Sequence, residues 1–588
     1  MDYYIQLKKA NCKNCYKCIR HCPVKSIRFA DHQAHIVKEK CILCGQCYVV
    51  CPQNAKQIKN DVEKVKEIIA MGKPVFVSLA PSFIANFKGL DIYGLESILM
   101  KLGFAGASET ALGATIVKKE YEMMLKENEG KPIISSCCHS VNTLIQKYYP
   151  EALPYLAKIL SPMQAHCMTL KEEHPDCHTV FIGPCISKKE EADQYPGLVD
   201  YVLTFQELYE WLDEEGISIS DYKSTGNNLN DSITDDNSNK DNNLEIENPR
   251  GRARLFPMPG GIIRSMITEG SDYDFISIDG TDNCIQALKD IIDGKLTNCF
   301  IEMSACSGSC VGGPAMYNEH YNSYCRERRT LVSDYIAVNR YARNLDFNIS
   351  SLPKDKLRKH FPYLGSSNPM PGSSAIAEIL HKMGKSTPEQ ELNCGSCGYN
   401  TCREKAIAVF QGKADLTMCL PFLKEKAENF SDNIIYNMTS GVIVLNEDLE
   451  VQQINRAAKQ ILNIKHKSYI LGAPVVRILN PSSFMEVITT GKNIHDRLTY
   501  WVEYNKYIEE TIIYDRTYHI IICIFRDITD EEMARIKKEE ISLQTMEITD
   551  KVIEKQMRVV QEIASLLGET AAETKIALTH LKETLKNE

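Results

Sequence analysis

Glu302-Met303-Ser304-Ala305-Cys306-Ser307-Gly308-Ser309-Cys310, running on into Gly312-Gly313-Pro314, is the stretch that decides how this chain is read. Two shorter cysteine loops precede it. One is Ser135-Ser136-Cys137-Cys138; the other is Gly183-Pro184-Cys185-Ile186-Ser187-Lys188, with Glu191 just beyond. Each loop follows an apolar, strand-like run: Pro132-Ile133-Ile134, Val180-Phe181-Ile182 and Cys299-Phe300-Ile301. Residues at the carboxyl ends of several parallel strands converge on one crevice of an α/β domain. Thiolates meeting there suit an iron–sulfur cluster.

Nearer the N-terminus one spacing occurs twice: Cys12-x2-Cys15-x2-Cys18-x3-Cys22-Pro23 and Cys41-x2-Cys44-x2-Cys47-x3-Cys51-Pro52. This is the two-cluster bacterial ferredoxin pattern, in which the fourth cysteine of each run serves the other cluster. Cys12, Cys15, Cys18 and Cys51 are therefore expected on one [4Fe–4S] cluster, and Cys41, Cys44, Cys47 and Cys22 on the other. Structural zinc rarely uses two such runs ending in Pro.

In this setting the three loops resemble, in order, the signature loops of the [FeFe]-hydrogenase catalytic domain. The resemblance covers roughly residues 70–350. It implies an H-cluster, a cubane joined through one cysteine to a two-iron unit carrying CO and cyanide. Cys138, Cys185, Cys306 and Cys310 match the cubane ligands, with Cys310 as the bridge. Cys137 matches the family's proton-transfer cysteine, Lys188 the lysine that hydrogen-bonds a cyanide, and Ser161-Pro162 a pair lining the same cavity. Glu191 and Glu302 keep their motif positions as loop anchors. The alternative is a plain cubane on the four cysteines without the two-iron unit.

The departures point one way. The first cysteine pair is followed by His139-Ser140-Val141 rather than Pro-x-Trp. Gly183 replaces a Met, Ser304 a Met, Ser309 a Gly and Met163 a Gln. On the proton route Ala157 stands for a serine and Lys119 for a glutamate on the preceding helix. Alanine has neither donor nor acceptor to relay a proton. Slow proton delivery and low hydrogen turnover are expected.

At 588 residues, with 44% hydrophobic and 25% charged residues, the chain is multidomain and globular in composition. A net charge of −9 argues against direct nucleic-acid binding and anionic membranes. No apolar run is long enough for a membrane span, and Met1-Asp2-Tyr3-Tyr4 shows no export signal. The 23 cysteines fall mostly in metal-ligand spacings, which implies a reducing cytoplasm.

The expected organisation is a ferredoxin-like module (1–60), a two-lobed α/β iron-hydrogenase domain (70–365), a four-cysteine domain (375–430), a PAS domain (431–530) and a helical segment (531–588). The overall class is thus a multidomain α/β and α+β protein. An Asn/Asp/Ser-rich stretch at about 218–250 is expected as a disordered insertion. Cys394-x2-Cys397-Gly398-Tyr399-x2-Cys402 with Cys419 resembles a small [4Fe–4S] domain of electron-transfer and corrinoid-linked proteins, with structural zinc as the rival. Met438–Asn446, Val451–Ala458 and Phe525–Asp530 resemble the entry, middle and exit of a PAS domain. Cys523 lies in an apolar strand and reads as an inert buried thiol. Val552, Val559 and Leu566 recur every seven residues, which suits a dimeric coiled coil, a bundle, or a helix packed back on its own domain.

The whole arrangement looks like the sensory [FeFe]-hydrogenases of anaerobic bacteria. That implies a hydrogen- or redox-responsive regulator with weak reversible hydrogenase activity. It would exchange electrons with a carrier such as ferredoxin, dimerise through PAS and the C-terminal helix, and signal to a partner that the sequence does not name. The competing readings are a working ferredoxin-linked hydrogenase and a cubane-only redox relay.

Overall fold

The computed structural model describes residues 3–8, 11–127, 130–222, 251–316, 331–349, 352–365, 370–465 and 470–584. The chain divides into two compact units, Met1–Phe422 and Leu423–Glu588.

The first unit opens with four short strands: β1 (Ile5–Leu7), β2 (Ile27–Ala30), β3 (Gln33–Ile36) and β4 (Lys56–Ile58). β1 pairs antiparallel with β4, and β2 with β3. Each cysteine run turns into a one-turn helix, Lys17–Arg20 or Gln46–Val49, which carries its third cysteine. The residue before each helix, Tyr16 or Gly45, is left-handed, with φ of 55° and 75°. The two halves thus repeat one local fold, as the repeated spacing requires.

Seven parallel strands follow: β5 (Val75–Leu79), β6 (Gly106–Glu109), β7 (Ile133–Ile134), β8 (His178–Gly183), β9 (Tyr201–Thr204), β10 (Asp274–Asp279) and β11 (Cys299–Ser304). They form two sheets, ordered β6-β5-β8-β9 and β10-β11-β7. Helices connect the strands, as parallel pairing demands. One of them, Phe205–Glu214, starts at a capping box in which Thr204 and Glu207 satisfy each other's backbone N–H groups, at 3.2 and 2.7 Å. Two lobes with their own sheets match the expected architecture.

Just before β9, the Asp200 carboxylate accepts from the Thr179 N–H and pairs with Lys171, both at 2.8 Å. Some boundaries differ from the expectation. The polar insertion does not start at Ser218. Ile219–Tyr222 form a 3-10 turn packed on the first lobe's core, and the remainder of the insertion lies outside the described residues. A short helix, Gly261–Ser265, follows Pro257–Gly260.

The four-cysteine segment carries helices Ser373–Lys382 and Cys402–Phe410. Directly after Cys419, the helix Leu420–Asn437 runs through the junction expected at 430/431.

The second unit is an antiparallel sheet of β12 (Gly441–Asn446), β13 (Val451–Ile454), β14 (Ile494–Trp501), β15 (Lys506–Asp515) and β16 (Ile520–Asp527), ordered β13-β12-β16-β15-β14. One face packs into a core that includes Ile443, Leu445, Phe484, Ile512, Ile521 and Phe525. Asn455 ties the hairpin to its helix: its Oδ1 accepts from Val442 N (2.9 Å) and Ala458 N (2.8 Å), and its Nδ2 donates to Ser440 O (2.9 Å). Cys523 is fully buried, and burial pushes its thiol up. Thr529, held by the Asp527 carboxylate at 2.6 Å, opens a continuous helix, Thr529–Thr584. Val552, Val559 and Leu566 are exposed along it. Among the described residues no helix is long and apolar enough to cross a membrane.

Candidate functional site

The three signature loops leave the carboxyl ends of β7, β8 and β11, so both lobes contribute to one cavity. Cys137, Cys138, Cys185, Cys306, Cys310 and Lys188 line it, around about 930 Å³ of atom-free space. All of the H-cluster candidates except Ser161 are therefore brought together. Ser161 is buried at the N-terminus of helix Pro162–Glu173, and the wall is formed instead by Pro162 and Met163.

Local hydrogen bonds explain how each loop is held. Ser135 joins β7 to β11: its N–H donates to Ile301 O (3.0 Å), and its Oγ accepts from Met303 N (3.2 Å). The Tyr121 hydroxyl, at 0% exposure, accepts from Ser136 N (2.9 Å) and lies 3.3 Å from the Cys137 sulfur. The Glu302 carboxylate accepts from Ile262 N (2.9 Å) and Ile263 N (3.1 Å). At the end of β10, Asp279 accepts from Gly308 N at 2.6 Å and fixes the third loop. Ser304 and Ser309, two of the departures from the family pattern, contact each other through their hydroxyls at 2.8 Å.

Lys188 donates to Cys137 O (3.1 Å) and pairs with Glu191. Glu191 also takes Lys359, and Lys359 donates to Gln164 Oε1 at 2.8 Å. Burial alone would raise the Glu191 carboxyl, but the two ammonium groups hold it well below the usual range. Among the described residues no cation pairs with Glu302, and burial pushes it up to about 7. Burial also raises the Cys137 thiol, to about 12, and the Cys138 thiol. A bound metal would convert a ligating thiol to thiolate regardless.

The helix Ala111–Glu127 presents other side chains than Lys119 to the interior. Lys119 is only half-buried, whereas Lys118 is fully buried, donating to Ser265 O (2.9 Å) and pairing with Asp346 (2.6 Å). From that helix it is Tyr121 that reaches Cys137. Ala157 is buried in apolar surroundings that include Ile133 and Leu160. Sequence reasoning missed Tyr121, Asp279 and Lys359, because none sits inside a cysteine motif. Helical spacing to the first loop could have indicated Tyr121; nothing local marks Lys359.

The other cysteines gather as their spacing suggests. Cys12, Cys15, Cys18 and Cys51 line one cavity together with Lys56. Cys41, Cys47 and Cys22 share an apolar cluster, and Cys44 and Cys47 both lie within electrostatic reach of Cys22. Cys394, Cys397, Cys402 and Cys419 line a third cavity, with Lys385 and Lys405. Among the described residues no three His, Cys, Asp or Glu side chains gather tightly enough to hold a single metal ion. The Cys394, Cys138 and Cys12 sets each line a cavity instead, and four thiol donors around a cavity fit a multi-atom cluster.

The ferredoxin-like module abuts the main cavity directly. Leu43 and Cys44 form part of the cavity wall, and Lys147 Nζ, on the helix after the first loop, donates to Cys41 O at 2.7 Å. Gly45 (φ 75°) makes this approach possible: a Cβ there would fall 2.5 Å from Pro314 Cβ.

Residues 73–314 match the family model of the iron only hydrogenase large subunit, C-terminal domain. These residues form an [FeFe]-hydrogenase-like iron–sulfur domain. Residues 4–68 match the 4Fe-4S dicluster domain, and residues 390–421 match an Fe-S cluster model. The chain is 26% identical over 393 residues to iron hydrogenase 1 of Clostridium pasteurianum, covering 56% of this chain and 64% of that one. It is 25% identical over 380 residues to the periplasmic [Fe] hydrogenase large subunit of Nitratidesulfovibrio vulgaris, covering 53% and 86%. It is 34% identical over 202 residues to the cytosolic Fe-S cluster assembly factor NAR1 of Kluyveromyces lactis, covering 31% and 43%. The match to the Clostridium protein spans just under two thirds of that protein's length.

Proposed function

We propose that this chain is a hydrogen-responsive sensor of the [FeFe]-hydrogenase type, with weak reversible hydrogenase activity coupled to its C-terminal unit. The observation that carries this reading is the main cavity. Cys138, Cys185, Cys306 and Cys310 ring it, Lys188 and Cys137 stand in its wall, and that same wall carries Met163, Ser304 and Ser309. The cysteines would hold an H-cluster, which when bound interconverts hydrogen with protons and electrons. Lys188 supplies a buried ammonium for an anionic diatomic ligand, a charge-assisted bond that is strong where water is excluded. Cys137 would hold a proton at its sulfur, with Tyr121 behind it. Ala157 in its apolar setting offers no onward relay.

A sensor needs occupancy of redox states rather than flux. The ferredoxin-like module, against the cavity wall at Leu43 and Cys44, would exchange electrons with a carrier such as ferredoxin. We read the second unit as PAS: its strands run 2-1-5-4-3 in the unit's own numbering, and a long helix follows directly. That helix, with an exposed apolar repeat, would pair with a second copy and pass the signal to a partner protein. A reducing cytoplasm suits the set of free cysteines.

One observation favours a second reading. The likeness to a protein named as an Fe-S cluster assembly factor fits a chain that carries cubanes only. Infrared spectroscopy separates the two readings. The protein is prepared without oxygen, supplied with the two-iron cofactor, and compared under hydrogen and inert gas. CO and cyanide bands that shift with hydrogen are expected. Absence of those bands with intact cubanes would overturn the proposal in favour of the relay.

A further inference from the structure

We infer that the Cys394–Cys419 centre exchanges electrons directly with the ferredoxin-like module at the Cys22 end, making that module a branch point between the main cavity and the helix leading to the second unit. This rests on reading both cysteine sets as [4Fe–4S] clusters.

The geometry is specific. Gly398, the residue after Cys397, packs on the helix Lys17–Arg20, which carries Cys18 and leads toward Cys22. A Cβ on Gly398 would fall 3.0 Å from Ile19 Cγ2 and 3.3 Å from Arg20 N. Gly398 also has φ of 91°, so close approach and backbone conformation both call for glycine there. The Lys25 ammonium fastens the contact by donating to Ile19 O (3.2 Å), Arg20 O (3.0 Å) and Gly398 O (3.1 Å). A backbone hydrogen bond from Phe29 N to Lys413 O (2.8 Å) ties β2 to the same segment. Tyr399, Ala408, Ala414 and Met418 share one apolar cluster with Cys18, Cys22 and Ile19.

The contact therefore joins two ligand-bearing segments, and the seam residue Gly398 directly follows Cys397. Lys25 and Tyr399 each lie within electrostatic reach of both Cys397 and Cys22. On the other side, Cys44 of the Cys22 set lines the main cavity. Each transfer moves one electron: one [4Fe–4S]+ returns to [4Fe–4S]2+ while its neighbour is reduced, and no bond or proton changes place. The destination is also placed. Cys419 immediately precedes the helix Leu420–Asn437, so the electron arrives at the base of the element that continues into the second unit.

The test is low-temperature electron paramagnetic resonance on the full chain, reconstituted with iron and sulfide and reduced with dithionite. It needs neither hydrogen nor the two-iron unit, so its outcome is independent of the sensing proposal. Expected is a signal from the Cys394–Cys419 cluster that is split and fast-relaxing through coupling to the reduced Cys22-set cluster. Cys394→Ala should remove that cluster and narrow the ferredoxin-like signal. Gly398→Val, which wedges the seam, and Lys25→Met, which unfastens it, should both weaken the coupling at unchanged iron content. Non-interacting signals in the wild type would overturn the proposal. So would coupling that survives both seam variants, or zinc in place of iron at Cys394–Cys419.

Discussion

Lys359 Nζ lies 2.5 Å from Glu191 Oε1, with both side chains at 0% exposure. The other carboxylate oxygen of Glu191 takes Lys188, the residue that faces the main cavity. Lys359 thus balances a buried carboxylate that would otherwise compete more strongly for Lys188. Removing one partner of a buried pair typically costs about 3 kcal/mol or more. Lys359→Met should lower the anaerobic denaturation midpoint accordingly, and should shift the cyanide bands of the loaded protein by repositioning Lys188. An unchanged midpoint and unchanged bands would show that the pair orders nothing.

Glu302 should give the opposite pH dependence to Glu191. Its folded-state value is raised from 4.5 to about 7 by burial. The stability it contributes is full below pH 4.5 and lost as pH rises through 7. At about 1.4 kcal/mol per pH unit, the loss is about 3 kcal/mol relative to Glu302→Gln. Denaturant titrations of both proteins across that window measure it, and parallel curves would sink the claim. Glu191, held low by two lysines, contributes stability that disappears only as pH falls through its depressed value.

The Ser304–Ser309 contact at 2.8 Å is testable by a double-mutant cycle. Ser304→Ala alone should cost about 1 kcal/mol, and close to nothing once Ser309→Gly is present. Ser309→Gly is favoured by its backbone, since Ser309 has φ of 55°. Additive effects would mean the two hydroxyls are not coupled.

Restoring the family's Met at Gly183 should fail on its own. A Cβ at Gly183 would fall 2.7 Å from the Phe181 ring and 2.9 Å from Ala80 Cβ. Gly183→Met is expected to destabilise by about 1–3 kcal/mol through overpacking. Adding Phe181→Ala should recover part of that loss. Equal stability of the single and double variants would show that Phe181 is not what fills the space.

Wild-type hydrogen turnover should be low, and Ala157→Ser should raise it by far less than the roughly 100-fold that a working proton-transfer group contributes. The new hydroxyl would sit among Ile133, Ile159 and Leu160, whose side chains can neither accept nor donate a proton. Hydrogen uptake and evolution assays decide this. A wild-type rate equal to that of the fastest related enzymes would refute it.

Much of the layout was legible because cysteine spacing is local. A Cys-x2-Cys-x2-Cys run forces a tight turn whatever surrounds it, and a strand before each signature loop shows in its apolar run. The grouping of Cys51 with the first run was expected from the repeat and appears in a shared cavity, and Cys22 shares an apolar cluster with Cys41 and Cys47. A motif gives position along the chain but not which way a side chain turns: Ser161 is buried next to the cavity-lining Pro162, and Lys119, on the helix Ala111–Glu127, is only half-buried. Lys118 and Tyr121 face inward on that helix, and Lys119 does not.

By itself the sequence determined which residues could carry iron–sulfur chemistry, since thiol donors at fixed short spacings encode their own loops. Only the tertiary structure decided what surrounds and connects them. Lys359 reaches Glu191 across 168 residues, Asp279 reaches Gly308 from a neighbouring strand, and Lys25 reaches Gly398 across 373 residues. Such contacts come from packing whole elements against one another, and no local spacing records them.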